Sequence, residues 1–248
     1  MNKTNTLLTL VICLITSCQT PKPEIITCEI RPITVSPTTD VDMEKLIAPY
    51  KKIKDTDMNV VIGYSDQHMQ SGLPEALLNN FVANAMLVYA NSIKPTDIAI
   101  TNLGGLRNDL PKGDITIGDI MQIMPFDNAI VFLELTGEDT EKLCHAIAQK
   151  GGEVVAGISL KIEKEQKQAK AKNILIQGKP IDKKRTYRLI TTDYLSFGND
   201  HLEPLAQHIS METPNQLLRD VLINYIVTET KAGHHIHSSL KHQIYVEN

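Results

Sequence analysis

The sequence predicts an α/β fold, an α+β sandwich in which a mixed β-sheet carries flanking helices. Three observations predict it. Short β-branched runs alternate with longer stretches of helical periodicity, and their irregular spacing separates the pattern from a strict βαβ repeat. No segment repeats internally. A chain of 248 residues that is 42% hydrophobic is long enough to bury one sizeable core, or two small ones.

Asp42 opens a helical stretch through Lys54, with Met43, Leu46, Ile47 and Tyr50 at helical spacing and Pro49 placed to kink or shorten it. Asn59 to Tyr64 is a β-branched run and reads as a strand. Pro74 to Ala90 predicts a helix whose apolar face is Leu77, Leu78, Phe81, Val82, Ala85 and Met86. Asp97 to Thr101 reads as a buried strand that ends in a Gly-Gly turn. Ile130 to Leu135 predicts a strand and Gly137 to Lys150 a helix; Val154 to Ile162 and Asn173 to Ile176 predict two more strands. The charged run Glu163 to Lys172 between them reads as a solvated hairpin loop. Tyr187 to Thr192 is a strand leading into a loop that reaches Gly198 and Asn199, Asn215 to Thr228 a closing helix, and Gln243 to Val246 a last strand.

Composition narrows the function classes. A formal net charge of −4 gives no global field that would draw a nucleic acid polymer. The sequence has no Trp and only 4% aromatic residues, which argues against an extended base-stacking platform. No CxxC or Cys/His spacing suggests zinc.

The N-terminus departs from the rest. Lys3 supplies a positive start, and Leu7 to Ile15 is an apolar run too short to span about 30 Å of hydrocarbon as a helix. It ends in Ile15-Thr16-Ser17-Cys18, which resembles a bacterial lipoprotein signal; a plain secretory signal is the blander reading. The resemblance implies cleavage before Cys18 and lipidation of its thiol, hence attachment to a membrane of the cell envelope. The chain then divides into a signal over residues 1–18, a Pro/Thr-rich tether over 19–41 and a folded domain over 42–248. Cys28 and Cys144 are the two thiols left for a disulfide, one in the tether and one on a helix, which disfavours a bridge.

Three segments carry the functional signal. The first is Thr101-Asn-Leu-Gly-Gly-Leu-Arg107, the second runs from Gly113 through Pro125-Phe126-Asp127-Asn128 to Leu135-Thr-Gly137, and the third is Thr192-Asp-Tyr-Leu-Ser-Phe-Gly-Asn-Asp200. A Gly-Gly turn directly after a strand lets backbone approach a ligand closely, and Arg107 beside it has the planar guanidinium suited to phosphate or carboxylate. Taken in order and at these intervals, the three resemble the C-terminal, substrate-binding domain of the 5'-nucleotidases over nearly all of residues 42–248. The resemblance implies that Asn102 and Arg107 hold the phosphate end or reacting centre and that Phe126 and Tyr194 clamp a nucleobase. It also implies that Asp200 accepts from ribose hydroxyls and that Asn128 contacts base or sugar, with Gly104, Gly105, Gly198 and Asn199 shaping the loops.

The sequence departs from the family at three places. Asn199 stands where Gly is usual, and Asn tolerates left-handed backbone; no Arg precedes the helix near Glu75; and Asn84 replaces an Asp. Complete 5'-nucleotidases resemble metallophosphoesterases over a further domain whose two metal ions activate water. Ser65-Asp66-Gln67-His68 and Gly233-His-His-Ile-His237 imitate fragments of the metal motifs, but the ordered ligand set is not present. No residue is therefore assigned to catalysis or to a metal, and divalent metals are expected on a partner metallophosphoesterase. The expectation is the nucleotide- or nucleoside-recognising half of a split phosphohydrolase, with a non-catalytic nucleoside-binding lipoprotein as the alternative.

Overall fold

The computed structural model describes residues 40–165 and 168–246. The signal over 1–18 with Cys18, the tether up to residue 39 and Cys28 lie outside the described residues. The chain divides into a unit of residues 1–46, of which 40–46 are described, and a unit of residues 47–248 that holds all the described strands.

Helix α1 (Val41–Met58) starts where Asp40 Oδ1 accepts from the amides of Asp42 and Met43, and it continues through Pro49 beyond the predicted end at Lys54. In the larger unit, β1 (Val61–Ser65) pairs antiparallel with β3 (Gly113–Thr116). Helix α2 (Leu77–Ile93) starts three residues later than Pro74 because the chain bends at Leu73 and Pro74 and the N-cap, Ala76, is extended. That segment is tied to its neighbours: Asn79 bridges both backbone groups of Gly72, and the Glu75 carboxylate accepts from the amides of Lys241 and Gln243.

The central layer is a mixed five-stranded sheet. Its members are β2 (Ile98–Thr101), β4 (Ile130–Thr136), β5 (Val154–Ala156), β9 (Thr186–Thr192) and β10 (Ser210–Glu212), in the order β10-β4-β9-β2-β5. Only β2 and β9 run parallel. Alternate residues fill two cores. Ala99, Ile130, Phe132, Val154 and Ile190 pack with α2 and α6 (Leu218–Lys231), while Ile98, Ile100, Val131, Leu133, Leu135 and Leu189 pack with α4 (Gly137–Gln149). The sequence allowed one core or two; the sheet carries one on each face.

A second sheet orders as β11-β6-β7-β8, from β6 (Ile158–Glu165), β7 (Gln168–Ile176), β8 (Lys179–Pro180) and β11 (Ile244–Val246). Two expectations are corrected here. The predicted strand Val154 to Ile162 is two strands in different sheets, broken at Gly157, whose φ is 81° and where a Cβ would lie 2.1 Å from the Asp97 carbonyl oxygen. The charged run at 163–172 is strand on both sides of residues 166–167: Ile162 and Ala171 point into the core while Glu163 and Lys170 pair on the outer face. Among the described residues no helix is long and apolar enough to cross a membrane. Cys144 on α4 is a free, buried thiol, which burial pushes up to about 12.

Candidate functional site

The strand pairing gathers the three motifs at one edge of the central sheet. Because β2 and β9 are parallel, the segments after Thr101 and after Thr192 emerge side by side. Because β4 is antiparallel to β9 with Ile130 opposite Thr192, the residues before Ile130 arrive at the same edge, where Asp193 N–H donates to the Ala129 carbonyl at 2.8 Å. Ligand sites in open sheets form where parallel strands end and connections diverge.

After β2 the chain makes a single 3₁₀ turn, Leu103–Gly105. The second motif contains a structure not foreseen from its residues: β3 leads into α3 (Ile117–Ile123), opened by a capping box in which Thr116 and Asp119 exchange side-chain and backbone bonds. The loop from α3 to β4 carries Phe126 and Asn128. The third motif, expected as loop, begins with a helical turn α5 (Asp193–Ser196) capped by Thr192, and that turn presents Tyr194.

These segments enclose a cavity of about 380 Å³ lined by Asn102, Gly104, Gly105, Phe126, Asn128, Tyr194 and Asp200. Every one of these positions was singled out in the sequence. The volume lies in the range of small-molecule sites. Phe126 is 48% exposed and Tyr194 46%, so neither ring is a core residue. Asn102 is buried, and its Oδ1 has no hydrogen-bond partner. A Cβ at Gly105 would stand 3.0 Å from that oxygen.

Arg107, Gly198 and Asn199 are not among the lining residues. Arg107 is exposed, with its amide tied to the Ile123 carbonyl at 2.8 Å and its guanidinium donating to the Gly104 carbonyl at 3.4 Å, so it stands next to the cleft's rim. Asn199 Nδ2 donates to the Tyr194 carbonyl at 2.7 Å and so closes the turn under that ring. The left-handed residues of this loop are Gly198 (φ 80°), Asp200 (φ 61°) and His201 (φ 61°); Asn199 is not one of them. Asn84, on α2, lies beside Tyr225 of α6.

Three supporting residues were missed by the sequence reading. Glu153 is buried; its Oε1 accepts from Leu103 N–H at 2.5 Å and its Oε2 lies 2.7 Å from Lys150 Nζ. Lys150 in turn reaches Asp200, at 2.7 Å to its carbonyl and 3.2 Å to its carboxylate. Burial works to lower the Lys150 pKa, but the bonds and charges of Glu153 and Asp200 outweigh it, and the ammonium is held above its ordinary value. Arg219, on α6, grips Asp127 at 2.6 Å beside Phe126. The available signals were a Lys-Gly-Gly-Glu turn at the foot of a buried strand and a basic residue opening the last helix.

The two metal-like fragments come apart and recombine differently. His68 pairs with Asp109 at 3.2 Å, while Asp66 pairs with His235 at 2.8 Å. Among the described residues no three His, Cys, Asp or Glu side chains are placed to hold one metal ion.

The fold and the cleft define a mixed α/β domain with an open cavity at the strand ends of its central sheet. Residues 61–207 match the family described as 5'-nucleotidase, C-terminal domain, and the chain belongs to that family. It is 28% identical over 191 residues to Protein UshA of Yersinia enterocolitica, covering 75% of this chain and 34% of that protein. It is 32% identical over 161 residues to the trifunctional nucleotide phosphoesterase protein YfkN of Bacillus subtilis, covering 57% of this chain and 11% of that one. A 5'-nucleotidase precursor from Thermus thermophilus superposes with a TM-score of 0.72 at 21% identity, over 84% of this chain and 44% of its own, a likeness of fold. The chain thus spans about a third or less of the length of these two sequence relatives.

Proposed function

We propose that this domain recognises a nucleotide or nucleoside as the substrate-binding half of a split phosphohydrolase, with metal chemistry supplied by a separate metallophosphoesterase. The base lies between Phe126 and Tyr194, Asp200 and Asn128 meet sugar and base polar atoms, Arg107 faces the phosphate end, and Asn102 lies at the reacting centre, where its Oδ1 accepts from a ligand donor. One observation carries the reading: the cleft lined by the motif residues has two half-exposed rings and, between its polar groups, a buried Asn102 oxygen with no partner. Two faces for stacking suit a planar base, worth about 1–3 kcal/mol per base contact, and an orphan acceptor suits a ligand hydrogen-bond donor. The names of the relatives, a nucleotide phosphoesterase and 5'-nucleotidases, agree with that ligand class. No reaction step is assigned to a metal on this chain, since its described residues do not form a ligand set. The same proposal places the mature protein in the cell envelope through a lipid on Cys18.

The test is nucleotide hydrolysis by the purified mature protein with Mn²⁺ or Zn²⁺, alone and with a co-expressed metallophosphoesterase. Turnover that requires both chains and falls when Arg107 is replaced by Ala is the expected result. Robust metal-dependent turnover by this chain alone overturns the split arrangement. A melting shift with adenosine or AMP but no turnover in any combination moves the assignment to a nucleoside-capture lipoprotein.

A further inference from the structure

The two lips of the cleft come from distant parts of the chain, the turn at 103–105 and the loop ending at Asp200, and one ion pair, its carboxylate buried and its ammonium partly so, touches both. We infer that Lys150 and Glu153 are positioning residues that lock these lips together and give the cleft its preference for a sugar with adjacent hydroxyls, an inference that rests on the nucleoside-binding reading.

Glu153 secures the first lip. Its side chain is fully buried, and its Oε1 is shared by the amides of Leu103 (2.5 Å) and Val154 (3.1 Å), so the turn that carries Gly104 and Gly105 is fixed to the start of β5. Its other oxygen holds Lys150 Nζ at 2.7 Å. Lys150 secures the second lip with two contacts to one residue, the carbonyl and the carboxylate of Asp200. That residue and His201 both have φ of 61°, a left-handed conformation that non-glycine residues keep only where neighbours hold them. The hydrogen bond from Lys150 to the Asp200 carbonyl is such a hold.

The same contact decides what Asp200 can offer a ligand. Its Oδ2 lies 3.2 Å from the ammonium, so one carboxylate oxygen is engaged and the group is fixed in rotation at the cavity wall. A carboxylate accepts and does not donate; held in this way it suits a pair of neighbouring hydroxyls better than a freely turning side chain does. A buried ion pair is by itself weak evidence for stability, because packed apolar residues would serve as well or better. A pair that spans both lips of a ligand cleft has a positioning use that apolar residues would not supply.

The experiment is calorimetric titration of the full protein with adenosine and with 2',3'-dideoxyadenosine, for wild type, Lys150→Met, Lys150→Arg and Glu153→Gln. Wild type is expected to prefer adenosine by about tenfold. Lys150→Met is expected to lose most of that preference through weaker adenosine binding while dideoxyadenosine changes less than about twofold, and Lys150→Arg to regain most of it. Glu153→Gln keeps an acceptor for Leu103 N–H and removes the charge opposite Lys150, so it reports on the pair even if Lys150→Met fails to melt cooperatively; an intermediate loss of preference is expected. A Lys150→Met or Glu153→Gln protein that folds and keeps the wild-type preference overturns the inference and leaves the nucleoside-binding reading intact. Wild type that binds both ligands equally does the same. Wild type that binds neither removes that reading, and this inference with it.

Discussion

Two open cavities of the larger unit differ in construction. The larger, about 580 Å³, is lined by Asp66, Glu229, His234, His235 and His237 with Phe81 and Tyr225 beneath. It is rich in titratable groups, yet its close polar contacts are internal: His235 pairs with Asp66 at 2.8 Å and His234 with Glu229 at 2.9 Å, with both imidazoles mostly exposed. The smaller, about 380 Å³, has fewer charges, but it sits at strand ends and holds two half-exposed rings and an unpaired buried oxygen. Size and charge density favour the first cavity. What marks a binding site is a group whose bonding is incomplete without a ligand, presented by elements that cannot move away.

The largest expected effect comes from removing both rings. Phe126→Ala with Tyr194→Ala should weaken adenosine binding by about a hundredfold, and either change alone by about tenfold, as titration would read. Melting temperature should barely move, because both side chains are half-exposed. Next is Asn102→Ala, expected to weaken binding about five- to tenfold without lowering the melting temperature of the free protein. In the unbound state the Asn102 Oδ1 has no hydrogen bond to lose. If the free protein instead loses several kcal/mol, Asn102 is a structural residue and the contrast between the cavities fails.

Much of this cleft was legible because three ordered motifs carry a family resemblance. The Gly-Gly turn after a buried strand announces itself by local chemistry, whereas the roles of Phe126, Asn128, Tyr194 and Asp200 were implied by the resemblance alone. What was not legible depends on distant contacts. The apolar run from Val154 to Ile162 is continuous, and only the Asp97 carbonyl packed against Gly157 divides it between two sheets. The charges at 163–172 suggested a loop, although Ile162, Ala169 and Ala171 kept the alternation of a strand. Lys150, read only as the end of a helix, and Glu153 were not singled out because their partners, Asp200 and Leu103, lie about fifty residues away on either side. The Thr116–Asp119 capping box was a readable helix start that the motif around it concealed.

A smaller effect separates the cleft from the far end of the same strand. The Glu134 carboxyl on β4 sits below its ordinary range, chiefly because Arg188 donates to it at 2.8 Å and then because Ser210 does. A folded-state value below the unfolded one means this contribution is present above the unfolded value of about 4.3 and is lost as pH falls through the folded value. Glu134→Gln should therefore flatten the acid limb of a melting-temperature profile while leaving adenosine affinity at about pH 7 unchanged. The smallest effect belongs to the histidine cavity. His234→Ala with His235→Ala should change adenosine affinity by less than about twofold; a larger loss would place ligand contact in the cavity that size alone would favour.

The most direct measurement is calorimetric titration of the full protein with AMP, beside the variant lacking both the Phe126 and Tyr194 rings. The expected result is saturable one-to-one binding by wild type, weakened by about two orders of magnitude in the variant. No saturable heat from wild type at millimolar AMP, or an isotherm that the loss of both rings leaves unchanged, would contradict a nucleotide-binding cleft between Phe126 and Tyr194.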